Sequence, residues 1–128
     1  FYNTIPRLKA RTEARNILNF IRLARSKAVS GGAQYGVYVD TDNRRYILFK
    51  DTLNPAQMIY NDGDSVVVGP EILDSDVVLT NSTFANNCVI FLPTGGASQS
   101  GSFTLDNTDG GSSYTVSVLS STGKSKMQ

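Results

Sequence analysis

The chain has 128 residues, 40% of them hydrophobic and 18% charged, with a formal net charge of +1. That length suits one domain burying a single core, and the composition lacks the low hydrophobicity and high charge of a disordered chain. It contains no His and a single Cys, Cys88. A Ser-His-Asp relay, an internal disulfide and a Cys/His zinc framework are therefore excluded.

The small net charge conceals an asymmetry. Residues 1–31 carry seven Lys or Arg against Glu13 alone, a net of +6, whereas the remainder carries five against ten acids, a net of −5. A basic arm on a mildly acidic head calls for an anionic surface or an acidic neighbour beside the arm. No stretch reaches the roughly 18 consecutive apolar residues that span a bilayer. The chain opens Phe1-Tyr2-Asn3 without an initiator Met, so removal of an upstream segment is expected.

Ala14, Ile17, Leu18, Ile21, Ala24 and Ala28 recur in steps of three and four, the signature of one face of an α-helix. Thr4 suits the N-cap, Pro6 the first turn, and Ser30-Gly31-Gly32 the stop. The stripe predicts a helix of about 25 residues, its front half projecting and its back half, from about Ala14, packed on a sheet. Phe20 and Leu23 fall off the stripe, which makes them candidates for packing against a second subunit.

After Gly32 come short β-prone runs separated by turn residues. Gln34–Val39 and Tyr46–Lys50 flank Asp40-Thr41-Asp42-Asn43 and read as a hairpin. Met58-Ile59-Tyr60, the turn Asn61-Asp62-Gly63-Asp64 and Ser65–Val68 follow, then Val77–Leu79, Cys88–Leu92, Ser102–Leu105 and Tyr114–Leu119. One helix followed only by strands predicts an α+β domain, residues 1–31 forming the helix and 32–128 a β-rich head, with the helix on an antiparallel sheet. Cys88, inside Asn87-Cys88-Val89-Ile90-Phe91, reads as a small buried hydrophobe.

Three segments together resemble the pilin-like GspH/FimT family of minor pilins and pseudopilins. They are Ala24-Arg25-Ser26-Lys27-Ala28-Val29 closing in Gly31-Gly32, then Phe91-Leu92-Pro93-Thr94-Gly95-Gly96 with the following Gly101–Leu105, and Tyr114–Val118 leading to Gly123-Lys124-Ser125-Lys126. Their order and spacing extend over nearly the whole chain. The prepilin cleavage motif and its apolar segment are not in this chain, and the family's frequent Trp in the second strand is replaced by Tyr46. The resemblance implies a pilin-like fold without enzymatic activity or cofactor. It also implies a role in priming or assembling a type IV pilus or a type II secretion pseudopilus. The partners would be other pilin-like subunits, and the full-length protein would sit in the bacterial inner membrane by a preceding apolar segment, its head periplasmic or extracellular.

The tail after the last strand reads as a frayed, solvated end. Some FimT-like subunits bind DNA through a Gly-Arg-x-Arg-like tail, so the resemblance adds DNA capture by Lys124 and Lys126 as an alternative. Two charges are too few for useful affinity, and Arg11, Arg15 and Arg22, spaced by one and two turns, are the candidate supplement. Those arginines read equally as partners of anionic headgroups or of acids on an adjacent helix. The loop around Asp106 and Asp109 groups hard oxygen ligands, and some pseudopilins bind calcium, but it lacks the distal Glu of an EF-hand and has the Asp, Asn and Gly of any tight turn.

Overall fold

The computed structural model describes residues 4–52, 64–108 and 113–128, with side chains from Lys9 onward. Helix α1 (Thr4–Gly31) has 28 residues, about 42 Å at 1.5 Å per residue. Its predicted stripe is its buried face: Ala14, Ile17, Ile21, Ala24 and Ala28 are fully enclosed and Leu18 nearly so. The helix ends where Gly32 takes φ +64 and donates its N–H to the carbonyl of Ala28 at 3.0 Å. That left-handed cap satisfies a terminal carbonyl at a conformation glycine adopts without strain.

Contact with the head starts earlier than the apolar stripe implied. Ala10 is fully buried and Glu13 nearly so. Glu13 accepts the backbone N–H of Asp74 at 2.9 Å, and Lys9 pairs with Asp76 at 2.8 Å and with Asp74 at 3.7 Å. The segment expected to project as far as Glu13 is therefore docked from Lys9 onward. Ala10, four positions before Ala14, continues the apolar stripe, but Lys9 and Glu13 are polar anchors that a stripe of apolar residues cannot display.

Among the described residues eight strands follow. They are β1 (Tyr35–Asp40), β2 (Arg45–Lys50), β3 (Ser65–Ile72), β4 (Val77–Ser82), β5 (Cys88–Phe91), β6 (Gly101–Asn107), β7 (Ser113–Val118) and β8 (Ser125–Met127). The hairpin predicted around Asp40–Asn43 joins β1 to β2, and the Asp40 carboxylate closes it by accepting the Asn43 amide at 2.8 Å and Arg45 Nε at 3.2 Å. Met58-Ile59-Tyr60 and most of the turn after it lie outside the described residues.

The strands form two sheets where one was expected. Both are four-stranded and antiparallel, in the orders β3-β2-β1-β5 and β4-β6-β7-β8. Helix α1 touches strands of both, and its stripe shares one core with Val37, Val39, Leu48, Val89 and Phe91 of the first and Phe103, Leu105, Val116 and Val118 of the second. Strands β6 and β7 show the predicted alternation of a sheet with one covered face. Strand β2 is instead buried at Tyr46, Ile47, Leu48 and Phe49 in succession, because Ile47 and Phe49 join Cys88 and Ile90 in a second apolar cluster. Local alternation reports the faces of a strand but not which strands share a ladder, so the division into two sheets was invisible to it.

Candidate functional site

The tail is a strand. β8 pairs with β7 at Val116–Met127, Ser117–Lys126 and Val118–Ser125, and a further pair of backbone bonds joins Thr115 to Gln128 at 3.0 and 2.8 Å. The expectation of a frayed end is corrected. Three residues are too few to display a strand period, and only the neighbouring β7 supplies the ladder that orders them.

At the turn before β8, Arg25 joins the three segments that carried the family resemblance. Its Nε donates to the carbonyls of Gly95 at 3.0 Å and Thr122 at 3.2 Å. Gly123, at φ +71, passes so close that a Cβ there would lie 2.0 Å from the Gly95 carbonyl and 2.9 Å from Arg25 Nε. A side chain at position 123 is therefore excluded by backbone conformation and by volume together. Sequence reasoning assigned Arg25 no role, although it stands inside the Ala24-Arg25-Ser26 segment quoted above.

Beside this junction, Arg22, Arg25, Gly123, Lys124, Ser125 and Lys126 line a groove of about 580 Å³. Its four cations face no lining carboxylate, and among the described residues none of the four forms an ion pair. Arg22 is thus brought beside the tail lysines. Arg11 and Arg15 are exposed but precede Arg22 by eleven and seven positions, about 16 and 10 Å along the axis, and they do not line the groove.

The two candidates for subunit packing separate. Phe20 is half-buried against the core, its ring edge-on to Tyr46 with centroids 4.9 Å apart. Leu23 is 40% exposed. Asp106 is half-buried on β6, opposite Val78 and Ser113, and Asp109 lies outside the described residues. Among the described residues no group of three His, Cys, Asp or Glu side chains is placed to hold a metal ion.

The structure also joins a carboxylate pair that the sequence reading did not identify. Asp51 after β2 and Asp64 before β3 are both buried, and Asp64 accepts the backbone N–H of Thr52 at 3.0 Å. Burial first, and then the charge and hydrogen bond of Asp64, push the Asp51 carboxyl up to about 6. Burial likewise raises the Tyr46 hydroxyl, with the charge of Glu13 as the next cause. Cys88 is buried, as predicted. No helix among the described residues is long and apolar enough to cross a membrane.

The chain can now be set beside known proteins. No curated protein matches it in sequence. The minor pseudopilin EpsH from the type 2 secretion system of Vibrio cholerae has a similar structure, with a TM-score of 0.72 at 15% identity, covering 94% of this chain and 96% of that one. The type IV minor pilin FimU of Pseudomonas aeruginosa strain PAO1 gives a TM-score of 0.66 at 15% identity, covering 95% of this chain and 90% of that one. These likenesses carry the fold, the predicted pilin-like α+β arrangement. The family model described as "Type II transport protein GspH" matches residues 13–123, from the buried Glu13 to the glycine against Arg25, and the chain belongs to that family.

Proposed function

We propose that the chain is the head and helix of a minor pseudopilin or minor pilin, a structural subunit that helps prime or assemble a type II secretion pseudopilus or a type IV pilus. The observation that carries this reading is the junction at Arg25, which ties helix, Pro93–Gly95 turn and tail into one rigid unit. A subunit whose helix bears load in a fibre needs that helix locked to its head. Membership of the GspH family and the fold shared with EpsH and FimU support the same reading.

In this reading the subunit acts by packing against other pilin-like subunits and performs no catalysis. An apolar segment preceding Phe1 would anchor the full-length protein in the inner membrane, with the head outside it. The test is deletion of the gene in its host, scored for secretion into the medium and for surface pili. Loss of either, restored by the intact gene, is the expected result. Unchanged secretion and piliation together would overturn the reading.

A further inference from the structure

Among the described residues, strand β8 ends its sheet. Its ladder with β7 is bonded at Lys124, where the carbonyl accepts the Leu119 N–H at 2.9 Å, and again at Gln128 with Thr115. In an antiparallel pair the bonding direction alternates, so the main-chain groups of Ser125 and Met127 turn outward. Nothing in Ser125–Met127 blunts this edge by a proline, and its register shows no bulge. What guards it is charge: the exposed Lys124 and Lys126 on one side and the groove-lining Arg22 and Arg25 on the other. Edge lysines repel basic strands and discourage indiscriminate pairing, yet the same charges favour a strand that carries carboxylates.

We propose that the open edge of β8 captures an extended acidic segment of a neighbouring subunit, which joins the second sheet as a further strand. Main-chain bonds to Ser125 and Met127 supply affinity, and carboxylates reaching Arg22, Arg25, Lys124 or Lys126 select the segment. Beyond the lysines, Ser117, Val118 and Leu119 line an apolar hollow, with Leu119 53% exposed, which suits an apolar side chain of the added strand. A polypeptide fits these features better than a nucleic acid does, because a phosphate backbone has no N–H to continue a β-ladder. The identity of the donor rests on the assembly role proposed above; the capture itself does not.

The test is fluorescence anisotropy of the 128-residue chain with a labelled peptide of about eight residues alternating Glu and Thr, long enough for one strand. Comparators are the same peptide N-methylated at every residue, which blocks both of its edges, a Lys-Thr counterpart and random duplex DNA. Saturable binding of the Glu-Thr peptide is expected at low salt. It should weaken about tenfold on N-methylation and about tenfold in Lys124→Ala with Lys126→Ala, with no binding of the Lys-Thr peptide. Absence of saturable binding, equal binding of the N-methylated peptide, or duplex DNA displacing the peptide at lower concentration would each overturn the proposal. Because no fibre is involved, failure here leaves the gene-deletion result intact, and the reverse also holds.

Discussion

The Nε of Arg25 and the carbonyl of Gly95 meet at 3.0 Å although 70 positions separate them in the chain. The contact joins the helix to the turn after β5, and with Thr122 it closes the path into β8. The four-cation groove exists because this junction holds the tail against the helix.

Loss of the junction should be measurable as stability. Arg25→Ala removes the donor to two carbonyls, and a destabilisation of about 1–3 kcal/mol is expected in urea unfolding. Arg25→Lys should recover little, since an ammonium cannot place a donor where Nε stands.

Gly123→Ala should destabilise by about 2–4 kcal/mol or stop folding. It adds a left-handed-backbone penalty to a clash with the Gly95 carbonyl. Crosslinking or hydrogen exchange at β8 should report the same change as loss of protection in Ser125–Met127.

The polar dock at the front of the helix separates two residues that look alike in sequence. Glu13→Ala leaves the part-buried N–H of Asp74 without its acceptor and should cost about 1 kcal/mol. Lys9→Ala breaks a solvent-exposed pair and should leave the urea midpoint unchanged within error.

Two carboxylates give opposite pH dependences. Asp51, raised to about 6 from 3.8, holds a proton in the folded state that the unfolded chain has already released. Its contribution is complete below the unfolded pKa and is lost as pH rises through 6. Asp40 is held below 3.8, first by the Asn43 side-chain amide, then by the Asn43 backbone N–H and Arg45. Its contribution is present above the unfolded pKa and is lost as pH falls. Between about pH 4 and pH 7 stability should therefore rise in Asp51→Asn relative to the parent as pH increases, whereas the deficit of Asp40→Asn should be present above about pH 4 and shrink as pH falls below it.

Cys88 is 1% exposed among Ile47, Phe49 and Ile90. Its thiol should be inert to an aromatic disulfide reagent in the native chain and react once urea unfolds it, with the reaction midpoint following the unfolding midpoint.

Most of the helix, the β1–β2 hairpin and the inward positions of β6 and β7 could be read directly, because each is encoded within a few neighbouring residues by period or by turn chemistry. Phe20 shows where that reading fails. Off the stripe by angle, it is nevertheless half-buried, because the buried ring of Tyr46 on β2 lies against it edge-on. The candidate site was half legible: Lys124, Lys126 and Arg22 were named, but their shared groove was not, and Arg11 and Arg15 were grouped with them by helix face alone.

The sequence by itself determined a basic helix with a one-sided apolar stripe, a β-rich remainder and a chain without His or a second Cys, all set by composition and short-range spacing. Only the tertiary structure decided that the strands divide into two sheets, that the tail becomes β8, and that Arg25 meets Gly95 and Thr122. Those outcomes rest on hydrogen bonds spanning 70 and 97 positions, and no local period records which distant carbonyl a guanidinium will reach.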